Sequence, residues 1–345
     1  SYSRVLLSIL KMPRSTSILE CLTEIETREF LPGEMHAELS ALASSHHQLN
    51  SDQLSNGDWS AKLHEIDPEV LIACWSTPAL PKDLPPSLKY VCYLAGSVKK
   101  LITKEQIERG LMITNWGHSI SRTVAEGALL HILTCMRGLT YWTLHMHEHG
   151  AWKKRTTQTA SLFGRRVGIR GYGKVSHALI SLLRPFDCDI GVLAPDLDEA
   201  RAEEDNVRCV KSLDDLMTHH DVVVELAPLI EQTRRSIKKE HLELLKPGSV
   251  FVNVGRGATV DEAALEEVAR KGEIFVGLDV FSEEPLPPSS GFRGLHNVSL
   301  SPHLAGPTSD RRRDAGKHSL NNLRAYLEGA DLPDRITPSI YDQST

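Results

Sequence analysis

The sequence lacks the features that mark membrane-spanning and nucleic-acid-binding proteins. Nowhere in its 345 residues does an apolar run approach the roughly 18 residues that a transmembrane helix requires. Basic residues number 39 against 45 acidic ones, which leaves a net charge of −6 with histidine neutral. Because binding to nucleic acid or an anionic membrane through bulk charge needs a basic protein, we expect no nucleic acid and no membrane as partners.

Cysteine pairs and an export signal are also missing. None of the six cysteines forms a C-x-x-C pair, and several lie in apolar runs such as 71–75, a pattern typical of reduced, buried thiols. Residues 1–12 lack the charged head, the long apolar body and the cleavage site of a signal peptide, which predicts a cytoplasmic protein.

His145, His147 and His149 alternate without an accompanying cysteine or carboxylate pattern, so no metal site is predicted.

The first 115 residues alternate β-type runs with helical patterns. Residues 5–10, 70–74 and 88–94 are predicted strands, and residues 15–27 and 35–45 are predicted helices. This alternation is typical of a parallel sheet covered by helices, so the segment predicts an α/β domain.

A tighter alternation begins at Arg166, after a long buried helix that is predicted at 119–138. Helices are predicted between most of the later strands, and a polar helix is predicted at 309–328. The six strand candidates are residues 167–170, 189–194, 222–226, 249–254, 274–279 and 298–300. Six strands with interleaved helices predict a Rossmann-type, doubly wound parallel sheet.

A glycine motif, Gly171-Tyr172-Gly173, follows the first of these strands and opens a helix. The first glycine permits a tight turn, and the second lets the backbone approach a pyrophosphate that then lies on the helix N-terminus. Ser176 replaces the usual third glycine, which adds bulk where helix and strand pack closest. In this strand–turn–helix context the motif predicts a dinucleotide site.

The acidic residue that should bind the cofactor's ribose is displaced. About 20 residues after the motif, Ala194 occupies the expected acidic position, and Asp196 lies two residues later. No lysine or arginine falls between Ala194 and Ala200 to receive a 2′-phosphate. We therefore expect NAD, with NADP still possible, and Asp196 as the candidate anchor; a solvated loop acid is the alternative interpretation.

Three polar residues follow the ends of later strands, where open α/β sheets place their ligands. They are Arg256, Glu284 and His303. A guanidinium holds a carboxylate through two parallel hydrogen bonds, an imidazole exchanges protons near neutral pH, and a carboxylate stabilises the protonated imidazole. Singly, each residue is equally compatible with a surface position. Together, after successive strands, they favour a catalytic site.

Taken in order, these motifs resemble the D-isomer-specific 2-hydroxyacid dehydrogenase family. The resemblance extends from about Leu88 to Ala305. It rests on the glycine motif and on segments 123–126, 227–229, 245–248, 253–257, 279–285 and 302–303. It implies a Rossmann-type NAD(P)-binding domain at 116–307 and a smaller flavodoxin-like α/β substrate domain built from 1–115 and 308–345. It also implies a homodimer.

The resemblance implies an NAD(P)-dependent oxidoreductase that transfers a hydride to or from C2 of a small D-2-hydroxy acid or 2-keto acid, of the glyoxylate/hydroxypyruvate type. Arg256 would bind the substrate carboxylate and keto oxygen, His303 would be the acid/base, and Glu284 would support His303. The residues implied at the cofactor are Gly171, Tyr172, Gly173, Lys174, Val175, Asp196, Ala227, Pro228, Val254, Gly255, Asp279 and Thr123.

The sequence departs from the family where the substrate carboxylate would bind. The usual Gly-x-Asp is absent after the strand at 88–94, and the backbone amides of Ala95, Gly96 and Ser97 are the expected substitutes. Lys99 and Lys100 follow, either to meet a second anionic group or as solvated surface.

Two alternative functions stay open. A phosphoglycerate dehydrogenase would use Lys99 or Lys100 for the phosphate, and an NAD(H)-sensing, partner-binding protein of the same fold would bind the cofactor without turnover. Trp75, Tyr93 and Trp116 lie at strand ends, where they either shape an aromatic pocket or belong to the core.

Overall fold

The computed structural model describes residues 16–332 and 334–343, and the chain divides into two compact units. Unit 1 combines Ser1–Ile120 with Ser309–Thr345, and unit 2 is Ser121–Thr308. The sequence prediction places the two boundaries at 115/116 and 307/308. The predicted strand at 5–10 lies outside the described residues. Within those residues, no helix is long and apolar enough to cross a membrane.

The strands and helices alternate through both units. The strands are β1 (Ser17–Leu22), β2 (Ser45–Asn50), β3 (Val70–Ala73), β4 (Tyr90–Tyr93), β5 (Met112–Thr114), β6 (Arg166–Arg170), β7 (Asp189–Leu193), β8 (Arg208–Cys209), β9 (Val222–Glu225), β10 (Val250–Asn253), β11 (Phe275–Leu278) and β12 (Val298–Leu300). The α-helices are α1 (Glu24–Phe30), α2 (Glu34–Leu42), α3 (Asn56–Ile66), α4 (Lys104–Glu108), α5 (Ser121–Arg137), α6 (Leu139–His149), α7 (Lys174–Leu183), α8 (Glu199–Glu204), α9 (Leu213–His219), α10 (Lys239–Leu242), α11 (Glu262–Arg270), α12 (Arg312–Glu328) and α13 (Pro338–Gln343).

Unit 1 is built on a parallel sheet with the strand order β2-β1-β3-β4-β5. This is the flavodoxin-like order, so the fold predicted for the smaller domain is confirmed. Every residue of β3 and β4 is buried. Burial on both faces is typical of parallel sheets and explains why these strands are continuous apolar runs in the sequence.

The predicted helix at 15–27 is wrong, because its first part is strand β1. The helix α1 begins only at Glu24, after a capping box in which the Glu26 backbone N–H donates to Thr23 Oγ1 and Glu26 Oε2 accepts from the Thr23 backbone N–H. Five of the six residues of β1 are buried. Burial on both faces removes the alternation that identifies a strand in a sequence.

Unit 2 is built on a second parallel sheet, with the order β12-β11-β10-β9-β6-β7-β8. The six strands predicted for this segment are present, and the Rossmann-type doubly wound arrangement is confirmed. A further strand, β8, was not predicted because it has only two residues, at the sheet edge. The order reverses between β6 and β9, and such a switch point is where open α/β sheets bind ligands.

Candidate active site

The turn between β6 and α7 has the geometry of an anion site. Gly171 has φ +102°, and a Cβ there would lie 2.8 Å from the Leu226 carbonyl oxygen, so glycine is required. Gly173 caps α7 and is exposed, and in the described structure a Cβ there would have no neighbour within 4 Å. The N–H groups of the first turn are therefore accessible to an anionic group such as a pyrophosphate.

Ser176 and Tyr172 hold this turn in place. Ser176 is buried, and its hydroxyl donates to the Gly171 carbonyl oxygen at 2.9 Å, so the serine at the third motif position closes the turn by a hydrogen bond. The Tyr172 hydroxyl donates to Asp205 Oδ2, and the Arg201 guanidinium lies 5.0 Å from the Tyr172 ring centroid. The Tyr172 side chain is thus engaged by its own domain.

The segment after β7, a loop followed by α8, contains a basic residue as well as an acidic one. Asp196 in the loop is exposed, and Arg201 Nη1 in α8 donates to its backbone carbonyl oxygen at 2.6 Å and lies 3.7 Å from its carboxylate. Arg201 lies one residue beyond the segment 194–200, in which the sequence has no basic residue. The structure therefore brings together a carboxylate suited to a ribose hydroxyl and a guanidinium suited to a 2′-phosphate.

The remaining residues predicted at the cofactor lie near the same carboxyl ends of the strands. They are Lys174 and Val175 in the first turn of α7, Ala227 and Pro228 after β9, Val254 and Gly255 after β10, and Thr123 in the first turn of α5. The start of α5 lies against the loop after β12, since a Cβ on Gly306 would be 2.6 Å from Thr123 Oγ1.

The backbone of Arg256 is fixed by the side chain of Asn253. Asn253 is buried, its Oδ1 accepts from the Gly255 N–H at 3.0 Å, and its Nδ2 donates to the Arg256 carbonyl oxygen at 3.0 Å. A Cβ on Gly257 would clash with the backbone of Phe281, so only glycine lets this loop approach the end of β11. The structure thereby holds the base of the Arg256 side chain at one place above the sheet.

Arg256 as a residue is exposed, and its Nη1 donates to the Gly255 carbonyl oxygen at 2.8 Å. The surrounding protein nevertheless shields its guanidinium, because desolvation lowers the pKa of Arg256 while the Glu284 carboxylate acts in the opposite direction. Arginine remains a cation in proteins under such shifts, so the group carries the positive charge that binding a carboxylate requires.

His303 and Glu284 form a hydrogen-bonded pair. His303 Nδ1 lies 2.7 Å from Glu284 Oε2, and Glu284 Oε1 accepts from the Phe281 N–H at 3.0 Å. Because a carboxylate only accepts, the proton lies on Nδ1, and Nε2 is left for a ligand. The His303 side chain is 51% exposed. His303 has φ +55°, and its backbone N–H donates to the Asp279 carbonyl oxygen at 2.9 Å.

The side chain of Asp279 organises the loop that carries His303. This buried carboxylate accepts from the Leu304 N–H at 2.7 Å, the Ala305 N–H at 2.9 Å and the Ser301 hydroxyl. The sequence resemblance placed Asp279 at the cofactor. The structure shows both carboxylate oxygens engaged with the loop at 301–305, which fixes the backbone on either side of the imidazole.

A buried histidine extends this network and was missed in the sequence, where it lies inside an apolar helix. His131 Nε2 lies 2.8 Å from Ser301 Oγ, and His131 Nδ1 lies 3.1 Å from Ser299 Oγ. Burial lowers the pKa of His131, although Asp279 opposes the shift. Since Ser301 donates to Asp279, it accepts from His131, and the chain of hydrogen bonds runs from α5 to the His303 loop.

The structure explains Arg170, whose presence before the glycine turn has no rationale in the sequence. Its Nη1 lies 3.3 Å from Oε2 of the fully buried Glu225, and its Nη2 donates to Ser236 Oγ at 2.8 Å. Burial raises the pKa of Glu225 to about 7, although Arg170 opposes this rise. Glu225 Oε1 also accepts from the Ala227 N–H at 3.2 Å, so the pair supports the cofactor-side loop after β9.

In unit 1, the predicted carboxylate-binding segment follows β4. Ala95 is buried, and its carbonyl oxygen accepts from the Trp116 N–H at 3.1 Å. The Gly96 carbonyl oxygen accepts from Asn115 Nδ2 at 2.8 Å, and a Cβ on Gly96 would collide with the Trp116 ring. Ser97, next in the loop, is half-buried. The carbonyl oxygens of Ala95 and Gly96 are thus bound within unit 1.

Aromatic side chains gather at this edge of unit 1. Trp75 and Trp116 pack edge to face with centroids 6.0 Å apart, and Phe30 lies 5.3 Å from Trp75. Trp75 is 48% exposed, whereas Tyr93 is buried. Of the three predicted aromatic residues, Tyr93 therefore belongs to the core, while Trp75 presents an aromatic surface to solvent and Trp116 covers Gly96.

Comparison with known proteins identifies the class. A family model described as D-isomer specific 2-hydroxyacid dehydrogenase, NAD binding domain, matches residues 129–305, just over half of the chain. The chain therefore belongs to the D-isomer specific 2-hydroxyacid dehydrogenase family. The predicted family and cofactor are confirmed.

Individual relatives differ in how much of them the chain covers. It is 30% identical to D-3-phosphoglycerate dehydrogenase of Mycobacterium bovis over 272 residues. The aligned region covers 79% of this chain and 49% of that protein. The chain thus spans about half the length of the phosphoglycerate dehydrogenases it matches. It is 30% identical over 257 residues to a glyoxylate/hydroxypyruvate reductase of Arabidopsis thaliana, covering 74% of this chain and 79% of that one. The fold of a glyoxylate reductase from Paecilomyes thermophila matches with TM-score 0.77 at 24% identity, covering 94% and 99% of the two chains.

Proposed function

We propose that this protein is an NAD(H)-dependent reductase of small 2-keto acids of the glyoxylate/hydroxypyruvate type, which forms the D-2-hydroxy acid or runs the reverse oxidation. The observation that carries the proposal is the His303–Glu284 pair, joined at 2.7 Å on the strand ends of an NAD binding domain. A relative of 30% identity that is covered over 79% of its length is a glyoxylate/hydroxypyruvate reductase, which supports the substrate class.

The proton step belongs to His303 and Glu284. In reduction, protonated His303 donates a proton from Nε2 to the substrate carbonyl oxygen, while its Nδ1–H stays hydrogen-bonded to Glu284. The negative charge of Glu284 stabilises the imidazolium before the proton leaves. NAD(H), when bound, supplies or accepts the hydride at C2.

Arg256 binds the substrate. Its guanidinium holds the substrate carboxylate and the adjacent carbonyl oxygen, where negative charge develops. A preorganised donor of this kind contributes about 3 kcal/mol to transition-state stabilisation. The Asn253 hydrogen bonds restrict the Arg256 backbone, so the cost of ordering this loop is met in the folded protein rather than during the reaction.

The glycine turn binds the cofactor in this proposal. The N-terminus of α7 with Gly171 and Gly173 would hold the pyrophosphate, and Asp196 would accept a hydrogen bond from a ribose hydroxyl. In unit 1, the main-chain N–H groups of Ala95, Gly96 and Ser97 stay the predicted carboxylate-binding groups. The homodimer and the cytoplasmic location stay predictions, and light scattering of the purified chain tests the first of them.

Phosphoglycerate dehydrogenase is the second candidate, and the identity of 30% to that enzyme of Mycobacterium bovis favours it. It requires a cation for the substrate phosphate. Lys99 and Lys100 are exposed, and Lys99 Nζ lies 5.7 Å from the Tyr341 ring centroid. Lys99→Ala and Lys100→Ala variants would then lose activity with the phosphorylated substrate alone.

The test begins with fluorescence titration of NADH and NADPH. NADH oxidation is then measured with glyoxylate, hydroxypyruvate, pyruvate, phenylpyruvate and 3-phosphohydroxypyruvate. We expect NADH binding and highest turnover with glyoxylate or hydroxypyruvate. Highest turnover with the phosphorylated acid would select the second candidate. Cofactor binding without turnover on any acid would overturn both and indicate an NAD(H)-sensing protein, and the absence of binding would contradict the assigned glycine turn.

A further inference from the structure

Unit 1 contains a cluster of two imidazoles and a carboxylate that the proposed reaction does not use. Glu20 on β1, His36 on α2 and His46 on β2 meet with ligand-type atoms all within 4.8 Å of one another. Glu20 Oε2 lies 2.8 Å from His36 Nε2 and 3.2 Å from His46 Nε2. The Glu20 side chain is 4% exposed, that of His46 11% and that of His36 28%, so the cluster is largely desolvated yet reachable from the His36 side.

The tautomer of His46 is set by a neighbouring hydroxyl. Ser40 Oγ donates to the His36 carbonyl oxygen at 3.1 Å, and it lies 2.9 Å from His46 Nδ1. Because the hydroxyl proton is already used, Ser40 accepts from His46, and the His46 proton lies on Nδ1. Neutral His46 therefore turns the lone pair of Nε2 toward the Glu20 carboxylate.

That arrangement leaves an unsatisfied atom. His46 Nε2 is buried and has no hydrogen-bond partner among the described residues. A lone pair facing a carboxylate oxygen at 3.2 Å is repulsive unless a positive charge lies between them. A second conflict lies at the same carboxylate oxygen, because His36 Nε2 and Gln48 Nε2 lie 2.8 Å and 3.3 Å from Glu20 Oε2 and 2.8 Å from each other. With the amide in this orientation, two N–H donors that share one acceptor face each other.

A divalent metal ion resolves these conflicts. Zinc binds nitrogen at about 2.0–2.1 Å and carboxylate oxygen at similar distance, which in a tetrahedron separates neighbouring ligand atoms by about 3.3 Å. The two separations from Glu20 Oε2, 2.8 Å and 3.2 Å, need only small adjustments to reach that value, and the two imidazole nitrogens lie within 4.8 Å of each other. Outer hydrogen bonds of the usual kind are present, from His46 Nδ1 to Ser40 Oγ and from Thr27 Oγ1 to Glu20 Oε1 at 2.8 Å.

We propose that Glu20 Oε2, His36 Nε2 and His46 Nε2 form a binding site for a divalent ion of the zinc class. The Gln48 amide, whose oxygen and nitrogen exchange places on rotation, or a water molecule completes the tetrahedron. The ion joins the edge strand β2 to β1 and to α2. Because β1 and β2 pair in parallel through positions 20↔48 and 18↔46, the site fastens a polar edge strand that has few apolar contacts of its own. The role is therefore structural.

The test is a Co²⁺ titration of the tag-free full chain, monitored by visible absorption, followed by competition with Zn²⁺. We expect the intense d–d bands of tetrahedral cobalt at one equivalent, their displacement by Zn²⁺, and a higher Tm with the bound ion. His46→Ala abolishes the bands. Ser40→Ala, which removes only an outer hydrogen bond, weakens binding by about 10- to 100-fold.

Controls separate this site from other histidines. His47 is the neighbour of His46 on β2 and alternates to the opposite side of the strand, so His47→Gln must bind cobalt as the wild type does. His118, His318 and Asp334 form another group of possible ligands, and His318→Gln must leave the bands unchanged. Circular dichroism of each metal-free variant shows that the chain is folded.

Two results would overturn the proposal. One is a wild-type chain without tetrahedral cobalt bands at millimolar Co²⁺, which would mean that His46 is doubly protonated and paired with Glu20. The other is a folded His46→Ala variant, or a His46→Gln variant, that keeps the wild-type bands and affinity.

Discussion

Asp279→Asn is the substitution that most sharply separates the loop-positioning role of this carboxylate from a direct contact with the cofactor. Asp279 Oδ1 accepts from the Ser301 hydroxyl and the Leu304 N–H, and Oδ2 accepts from the Ala305 N–H alone. An asparagine keeps the first two bonds if its oxygen takes the Oδ1 position. Its NH2 group then faces the Ala305 N–H, so one donor is opposed by another.

The expected loss of stability follows from the number of hydrogen bonds that each substitution removes. One hydrogen bond to a charged group contributes about 1.5–3 kcal/mol, so Asp279→Asn should lower the free energy of unfolding of unit 2 by about that amount. Asp279→Ala loses all three bonds, about 4–9 kcal/mol on the same basis, which approaches the whole stability of a domain. The asparagine is therefore the informative variant. Because misplacement by about 1 Å costs about 100-fold in rate, we expect kcat/KM for the keto acid to fall by about 10- to 100-fold.

Urea unfolding and steady-state reduction of the keto acid measure the two effects, and NADH titration measures cofactor affinity. The control is Glu273→Gln, which removes an exposed carboxylate outside the helices and strands of the same unit and should change stability by less than about 0.5 kcal/mol. A variant with wild-type stability and wild-type kcat/KM would contradict the loop-positioning role of Asp279. A variant whose only defect is weaker NADH binding would contradict it too, because that result would support a direct contact between Asp279 and the cofactor.

Three further predictions, which use four substitutions, test other parts of unit 2. Arg256→Lys keeps the charge but loses the forked hydrogen bonds, so kcat/KM should fall by about 10- to 100-fold with NADH binding unchanged; unchanged kcat/KM in the same assay would contradict this. Burial raises the pKa of Glu225 from 4.5 to about 7. Between these values the folded chain binds a proton that the unfolded chain does not, so the contribution of this group to stability falls as the pH rises from 4.5 to 7, by up to about 3 kcal/mol. Glu225→Gln should remove this slope from urea midpoints measured across the interval, and an unaltered slope would argue against it. Gly171→Ala should cost about 1–3 kcal/mol of stability through its φ of +102° and the Leu226 contact, whereas Gly173→Ala should cost less than 1 kcal/mol; equal losses in urea unfolding would contradict the turn geometry.

The strands of unit 2 and the placement of the motifs were accessible from the sequence because they depend on local patterns. Apolar runs of four to six residues separated by helices define a parallel sheet, and a glycine that must have positive φ, such as Gly171, marks its turn directly. Polar edge strands are different. β2 (Ser45–Asn50) has no buried residue, so no hydrophobic alternation reveals it, and β8 is too short to form a pattern.

The interior polar contacts were not accessible, because their partners are far apart in the chain. Glu225 and Arg170 are 55 residues apart, and His131 and Ser301 are 170 apart. Neither pair belongs to a recognisable motif. Only the fold, by bringing strand ends to one edge, shows that Arg170 balances a buried carboxylate and that a histidine in α5 supports the loop of the proposed acid/base.

The most direct test of His303 as the acid/base is the turnover of His303→Gln with NADH and the best keto acid of the panel. NADH affinity is measured in parallel. Glutamine keeps a hydrogen-bonding side chain but cannot carry the proton. We expect a kcat about 100- to 10,000-fold below the wild type, with an unchanged dissociation constant for NADH. A variant that retains the wild-type kcat would contradict the assignment of His303 as the acid/base and, with it, the proposed reaction at this site.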